Sequence, residues 1–317
     1  MSAATKPFSL GREAGDDGSF KRQQSAFRQW VTADGSSGFP AEAGRYHLYI
    51  SLACPWATRT LIVRRLKGLE EVISLSLVDP IRDQRGWAFT GGEFTDPVNG
   101  FQFLAEAYEA TEPGFEARVS VPVLWDRQGG RIVNNESGDI VRMLNSAWAE
   151  VADSGVDLYP EPLRAEIDVL NEQIYETVNN GVYMAGFASS QESYRRAYLA
   201  LFDTLDVLEE RLEGSRYLLG DEPTEADWRL FPTLVRFDPV YHGHFKCNRQ
   251  KLSEFPNLWG YTRDLYQLPG IASTVDLDQI KRHYYGTHPM INPSGIVPEG
   301  PRIDFDEPHD RARLARL

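Results

Sequence analysis

The sequence has few cysteines, a deficit of basic residues and no long apolar run. Only two of its 317 residues are cysteine, Cys54 and Cys247, which excludes a fold held together by a framework of disulfide bonds. The 33 lysines and arginines are outnumbered by 46 aspartates and glutamates. The resulting net charge of −13 argues against nonspecific binding to nucleic acid or to anionic membranes. No segment approaches the roughly 18 apolar residues that a transmembrane helix requires.

The first 20 residues are polar and acidic, without the apolar stretch of a secretion signal. We therefore expect a cytoplasmic protein, because a reactive thiol stays reduced in that compartment. The length and the 42% hydrophobic content are those of a globular protein of about two domains.

Residues 45–149 alternate between strand and helix patterns. The sequence predicts strands over 45–51, 72–78, 122–125 and 131–133, and helices over 55–67, 100–110 and 136–145. The order β-α-β-α-β-β-α predicts a small mixed sheet of thioredoxin type, an α/β domain. The loop over 79–99 is rich in Gly, Asp and Pro, and its unusual length indicates a functional role.

The rest of the chain has a different pattern. Apolar residues at helical spacing predict helices over 165–179, 192–212, 226–237 and 257–266, with no strand between them, so residues 150–285 are expected to form an all-helical domain. Thr224 and Asp227 have the spacing of a helix capping box. Residues 1–44 are an extension whose aromatic content indicates that it lies on the protein body. Residues 286–317 are a proline-rich, extended tail, whose end from 302 is expected to be mobile or to make oligomer contacts.

Cys54 directly follows the first predicted strand and directly precedes Pro55. Proline favours the first position of a helix, so Cys54 is expected at the helix N-cap, where free amides and the helix dipole stabilise a thiolate. Ala57 occupies the position of the second cysteine in a C-x-x-C motif. The pattern therefore predicts a monothiol mechanism that uses an external thiol; the alternative is an inert buried cysteine.

Two further motifs accompany this cysteine. Val121–Pro122 opens a predicted strand, where a cis proline would place the Val121 backbone beside the catalytic sulfur, and an ordinary trans proline is the alternative. Glu136 and Ser137 lie at another predicted helix start. Free amides, a hydroxyl and a carboxylate there would suit the charged γ-glutamyl end of glutathione, although the same residues also make an ordinary cap.

Four stretches together resemble the glutathionyl-hydroquinone reductases, the Xi class of the glutathione transferase superfamily. They are Cys54–Ala57, Arg118–Trp125, Ile132–Ser137 and Val240–Asn248. The resemblance implies a thioredoxin-like domain followed by an all-helical glutathione-transferase domain, and a homodimer. It also implies that Cys54 attacks the sulfur of a glutathionyl-hydroquinone, and that a second glutathione resolves the Cys54–glutathione disulfide. Glutathione is then the co-substrate, and no metal, flavin or nicotinamide is needed.

The resemblance also implies the binding residues. Glutathione would be held by residues of the first domain, with Trp87 as an exposed ring packing over the tripeptide: Trp87, Arg118, Val121, Glu136 and Ser137. The hydroquinone would be bound by tyrosines that stack on the aromatic ring and donate to its oxygens or to the departing carbon: Tyr183, Tyr241 and Tyr284. Tyr285 is adjacent to Tyr284, and the sequence leaves open which of the two rings faces the substrate. Met184 stands where members of the class often have lysine.

Other interpretations remain. An omega-like thioltransferase or dehydroascorbate reductase would use the same cysteine chemistry on general substrates. A conjugating transferase would hold glutathione as a free thiolate, and a non-enzymatic binding module would use the same scaffold without chemistry. His242, His244 and Cys247 offer three zinc ligands within six residues, but no fourth ligand is evident nearby.

Overall fold

The computed structural model describes residues 15–152 and 155–315. The chain divides into two compact units. The described part of the first consists of residues 23–152, 155–156 and 278–283, and that of the second of residues 15–22, 157–277 and 284–315. The domain boundaries at 44, 149 and 285 stay a prediction.

The first unit contains a four-stranded mixed sheet. Its strands are β1 (Tyr46–Ile50), β2 (Ser74–Leu77), β3 (Val123–Asp126) and β4 (Arg131–Asn134), in the order β2-β1-β3-β4. β1 pairs parallel with β2 and antiparallel with β3, and β3 pairs antiparallel with β4. Every residue of β1 is buried, as expected for a central strand covered on both faces. The sheet confirms the predicted thioredoxin-like topology.

Three helices accompany the sheet: α1 (Pro55–Leu66), α2 (Ala105–Thr111) and α3 (Ser137–Ser146). α1 packs against α3. α1 ends at Leu66, and Gly68 follows with a φ of +63°, a left-handed conformation that glycine adopts without strain.

The helix predicted over 100–110 begins five residues later than expected. The Asp96 carboxylate accepts hydrogen bonds from the backbone N–H groups of Val98, Asn99 and Phe101, and Glu106 accepts from those of Gln102 and Phe103. These hydrogen bonds from the side-chain carboxylates satisfy the backbone N–H groups before α2. They hold this segment in turns rather than in a helix.

The second unit is helical. Its helices are α4 (Arg164–Ile174), α5 (Gly181–Gly186), α6 (Gln191–Arg211), α7 (Glu225–Leu234) and α8 (Pro256–Tyr266), and α9 (Leu277–Thr287) contributes its end from Tyr284. The sequence prediction missed α5 and α9. The helix predicted over 165–179 corresponds to α4 and the π-helical turn Tyr175–Asn179 that continues it. The helix predicted over 226–237 corresponds to α7, which ends at Leu234, and a π-helical turn lies at Phe237–Tyr241. Among the described residues, no helix is long and apolar enough to span a membrane.

The predicted capping box at the start of α7 is present. The buried Asp227 carboxylate accepts from the Thr224 backbone N–H at 2.7 Å and from the Thr224 hydroxyl at 2.9 Å. It also accepts from the backbone of Leu218 at 2.9 Å and from the hydroxyl of Tyr261 at 2.8 Å. Burial raises the pKa of Asp227, while these donors favour its ionised form.

The described part of the extension lies on the protein body. In the first unit Arg28 forms an antiparallel bridge with Asn134 of β4, and Phe27 packs on Tyr108 and Phe115. In the second unit Phe20 is buried.

The end of the tail was expected to be mobile or to make oligomer contacts. Its described part packs onto the second unit, and its participation in oligomer contacts stays a prediction. Phe305 is buried against Trp259 and Tyr266. Arg311, which is 2% exposed, donates to the carbonyls of Leu212, Ser215 and Arg216 after α6. These contacts hold the segment because Arg311 satisfies the carbonyl of Leu212 at the end of α6 and two carbonyls of the loop that follows.

Candidate active site

Cys54 is the N-cap of α1, as predicted. Its backbone is extended (φ −86°, ψ 119°), and Pro55 occupies the first turn of the helix. The Cys54 carbonyl accepts from the Thr58 amide and from the Thr58 hydroxyl, each at 3.0 Å, so the residue is fixed to the helix end. The side chain is partly buried. Its side chain therefore lies at the N-terminus of α1.

The Val121 carbonyl is a hydrogen-bond partner of this sulfur. Cys54 Sγ lies 3.7 Å from Val121 O. The Val121–Pro122 peptide bond is cis, which is the isomer that the sequence interpretation required. The backbone before β3 and the end of β1 thus meet at the thiol.

Glu136 and Ser137 lie at the start of α3, as predicted. Glu136 is the N-cap, and its Oε1 accepts from the Gly138 amide at 3.2 Å. Its Oε2 accepts from the hydroxyl of Ser25 at 2.8 Å, a contact that the sequence did not indicate. Ser137 is the first helical residue and is 3% exposed. A carboxylate and a helix N-terminus are therefore adjacent, one suited to an ammonium group and the other to a carboxylate.

Arg118 is half-buried in the same unit and acts electrostatically on Tyr108. Tyr108, which the sequence interpretation did not single out, donates to the Ser120 carbonyl at 2.8 Å and accepts from the Asn135 amide at 3.0 Å. Burial raises the pKa of Tyr108, and the Arg118 cation acts in the opposite direction. Tyr108 thereby links the segment before Val121 to the turn before Glu136.

Trp87 is not the exposed ring that was expected. Its side chain is 4% exposed, and its ring stacks on His283 with centroids 5.0 Å apart and planes 17° apart. His283 Nδ1 lies 2.7 Å from the Pro80 carbonyl, and Arg82 lies over the Trp87 ring at 5.4 Å. The prediction was wrong because His283, about 200 residues away in sequence, covers the ring. Packing of Trp87 against glutathione stays a prediction.

In the second unit, Tyr183, Tyr241 and Tyr284 form one hydrogen-bonded group, which we call the tyrosine cluster. The hydroxyl oxygens of Tyr183 and Tyr284 are 2.5 Å apart, and those of Tyr241 and Tyr284 are 3.0 Å apart. Tyr241 and Tyr284 are fully buried, whereas Tyr183 is partly exposed. Burial raises the pKa of both buried tyrosines well above the ordinary value, and the buried Arg236 nearby opposes this only in part.

The structure distinguishes the two adjacent tyrosines of α9. Tyr284 is the member of the cluster. The hydroxyl of Tyr285 donates instead to the Pro239 carbonyl at 3.2 Å, and its ring packs on His244 at 4.6 Å.

Further aromatic rings and one cation surround the cluster. Phe245 packs against all three tyrosines, and Gly186 of α5 permits this packing because a Cβ there would lie 2.2 Å from the Phe245 ring. Phe20 stacks on Tyr183 at 6.4 Å, and the Arg22 guanidinium lies over the Tyr183 ring at 4.6 Å. Neither Phe20 nor Arg22 was assigned a role from sequence; the aromatic content of the extension was the only signal.

The zinc alternative finds no geometric support. Within the residues that the structure describes, no three His, Cys, Asp or Glu side chains are grouped so as to hold a metal ion. His244 is buried with its Nε2 3.2 Å from His288 Nδ1, and Cys247 is fully buried. Burial raises the pKa of the Cys247 thiol.

Two family models match the chain. The model described as the glutathione S-transferase N-terminal domain matches residues 53–147, and the one described as the glutathione S-transferase C-terminal domain matches residues 191–264. Together they cover more than half of the sequence.

Curated relatives match over almost the whole chain. The glutathionyl-hydroquinone reductase YqjG of Escherichia coli is 52% identical over 303 residues, covering 93% of this chain and 92% of the relative. The glutathionyl-hydroquinone reductase PcpF of Sphingobium chlorophenolicum is 51% identical, with 90% of each chain covered. A protein of Schizosaccharomyces pombe named glutathione S-transferase omega-like 2 is 46% identical, covering 90% of this chain and 94% of the relative.

Solved structures agree with this similarity. The glutathione-bound structure of Escherichia coli YqjG has a TM-score of 0.88 at 51% identity, covering 90% of this chain and 96% of that chain. The glutathione transferase Xi of Phanerochaete chrysosporium has a TM-score of 0.90 at 49% identity, covering 94% of this chain and 97% of that chain.

Proposed function

Because this chain belongs to the glutathione transferase family, in the Xi class of glutathionyl-hydroquinone reductases, we propose that it reduces glutathionyl-hydroquinones to hydroquinones with glutathione as co-substrate. The observation that carries the proposal is the position of Cys54 at the N-cap of α1, with its Sγ 3.7 Å from the Val121 carbonyl. The only other cysteine of the chain, Cys247, is fully buried with a raised thiol pKa. A monothiol mechanism follows.

In the first step the Cys54 thiolate attacks the thioether sulfur of the substrate. The Cys54 S–S bond to glutathione forms as the bond between that sulfur and the aromatic carbon breaks. The electron pair stays on the aromatic carbon, which takes up a proton and leaves as the hydroquinone. The aromatic is thereby reduced, and the two sulfurs are oxidised to a mixed disulfide.

In the second step the thiolate of another glutathione attacks the glutathione sulfur of this disulfide. Oxidised glutathione leaves, and the Cys54 thiolate is regenerated at the helix N-terminus that stabilises it. Glutathione supplies this resolving thiol because Ala57 stands where a second cysteine would lie.

The tyrosine cluster supplies the proton in this proposal. Among the described residues, the fully buried Tyr241 hydroxyl has hydrogen-bond partners only inside the cluster, so it donates inward, to Tyr284 at 3.0 Å. In the order that we propose, Tyr284 is the donor to Tyr183, and their hydroxyl oxygens are 2.5 Å apart. That order leaves the Tyr183 O–H to donate outside the cluster, of which Tyr183 is the partly exposed member. Tyr183 is therefore the proton donor to the hydroquinone, and the other two tyrosines orient it.

The remaining residues bind the tripeptide. The Val121 main chain pairs with the cysteinyl part of glutathione, and the α3 N-terminus with Ser137 receives the γ-glutamyl carboxylate. Glu136 accepts from the ammonium group of the γ-glutamyl moiety, and Arg118 pairs with a carboxylate of glutathione. Trp87, held by His283, packs against the peptide.

The test follows two products of one synthetic glutathionyl-hydroquinone in the presence of excess glutathione. Wild-type protein is expected to release hydroquinone and oxidised glutathione in equal amounts, and Cys54→Ala to release neither. Mass spectrometry should find one glutathione on Cys54 when the second glutathione is withheld. Turnover by Cys54→Ala would refute the mechanism.

One relative is named glutathione S-transferase omega-like 2, so an omega-like thioltransferase is a second candidate function. An omega-like thioltransferase would act on a small alkyl mixed disulfide faster than on the glutathionyl-hydroquinone. The two turnover rates therefore decide between the candidates.

A cytoplasmic homodimer completes the proposal, supported by the family membership and by the reduced state that the Cys54 chemistry requires. Light scattering at micromolar concentration should give twice the mass of the chain, and a monomer would contradict this part alone.

A further inference from the structure

The extension adds a backbone segment to the turn that leads into α3. The Gln29 amide donates to the Val133 carbonyl at 3.0 Å, and the Asn135 amide donates to the Phe27 carbonyl at 3.1 Å. The Asn135 side-chain oxygen accepts from the Phe27 amide at 2.9 Å. Residues 25–29 therefore lie in a defined register along β4 and the turn that follows it.

This register places Ser25 against Glu136. The Ser25 hydroxyl lies 2.8 Å from Glu136 Oε2 and 3.2 Å from the Asn135 carbonyl. It has one hydrogen to donate, and the nearer, anionic oxygen is the stronger acceptor.

The Glu136 carboxylate is thus held at both oxygens. Oε1 accepts from the Gly138 amide of its own helix, and Oε2 accepts from Ser25, 111 residues away in sequence. Two donors fix both the rotamer and the plane of a carboxylate, which one donor does not. Each oxygen keeps a second lone pair for another donor.

We propose that Ser25 is a positioning residue for glutathione, which orients Glu136 toward the ammonium group of the γ-glutamyl moiety. The inference rests on the proposed function, in which Glu136 binds that group. The extension is then part of the glutathione site, and Ser25 selects ligands that carry a γ-glutamyl end.

The test measures binding of reduced glutathione and of cysteinylglycine, which lacks the γ-glutamyl group, by calorimetry under reducing conditions. Ser25→Ala is expected to weaken glutathione binding about tenfold, the effect of one charge-assisted hydrogen bond, and to leave cysteinylglycine unchanged. Ser25→Thr, which restores the hydroxyl, should recover most of the affinity. Ser37→Ala removes a hydroxyl from the same extension, one that contacts Thr32, and should bind both ligands as the wild type does.

A double-mutant cycle provides the second arm. In a Glu136→Gln background, Ser25→Ala should weaken glutathione binding only slightly further, because both changes act on one contact. Equal weakening for the two ligands, or unchanged glutathione affinity in Ser25→Ala, would overturn the proposal. These binding measurements use no hydroquinone, so their outcome can be interpreted even if the proposed reductase activity is not found.

Discussion

The guanidinium of Arg22 lies 4.6 Å from the centroid of the Tyr183 ring, and its Nε donates to the Asn180 side chain at 2.8 Å. The cation therefore faces the one member of the tyrosine cluster that is partly exposed. A cation over a phenol ring holds the ring in place and stabilises negative charge that develops on it. Arg22 is thus placed to support the proposed proton donor from outside the cluster.

Replacing Arg22 by methionine should slow the release of hydroquinone. We expect a fall of about 3- to 30-fold in the single-turnover rate, the range that a cation–π contact contributes, with unchanged affinity for glutathione. Arg196→Met is the matched control, since Arg196 binds Asp17 of the same segment at the surface. Equal effects of the two variants would mean that Arg22 only anchors the extension.

The two adjacent tyrosines of α9 should respond differently to loss of their hydroxyls. Tyr284→Phe removes the link between Tyr241 and Tyr183, and we expect single-turnover hydroquinone release to fall about tenfold, as for one oriented hydrogen bond. Tyr183→Phe removes the proposed donor itself and should lower the single-turnover rate of hydroquinone release about 100-fold. Tyr285→Phe loses only a bond to the Pro239 carbonyl and should keep the wild-type rate. Resolution of a preformed Cys54–glutathione disulfide should be equally fast in all three, and a slower resolution would contradict the assignment.

His244 should make the fold less stable in acid. Burial lowers the pKa of His244 from 6.5 to about 4, with Lys246 adding to the effect. Above about pH 6.5 the histidine is neutral in both states and contributes nothing to the pH dependence. Between pH 6.5 and 4 the unfolded chain takes up a proton that the folded chain does not, so the free energy of unfolding falls as the pH falls.

Urea unfolding at pH 7 and pH 5 checks this sign. His244→Gln should reduce the loss of unfolding free energy between the two pH values by about 1 to 2 kcal/mol. Part of the loss will remain, because burial also lowers the pKa of His47 to about 4. An unchanged loss would mean that His244 is not held neutral in the fold.

Local sequence signals were sufficient for the cysteine half of the candidate site. A strand, Cys54 and Pro55 are consecutive, so the N-cap position follows from preferences that act over one helical turn. The same holds for Glu136 and Ser137 at the start of α3. The helix starts at Pro55, Ser137 and Pro256 were each predicted within one residue, because caps and prolines mark them locally.

Apolar periodicity failed where particular side-chain contacts decide the conformation. Trp87 has the sequence surroundings of an exposed loop residue, yet His283 covers its ring. The helix predicted from residue 100 is delayed to Ala105 by the Asp96 and Glu106 carboxylates, whose backbone contacts are not visible as a periodic pattern.

The sequence by itself determined the position of Cys54 at a helix N-terminus and the order of strands and helices along the chain, since these depend on neighbours within a few residues. Only the tertiary structure decided that Tyr284 rather than Tyr285 joins Tyr183 and Tyr241, and that Ser25 meets Glu136. Those contacts join residues 43 to 111 positions apart. No local preference encodes such a distance, because it is set by how whole helices and strands pack.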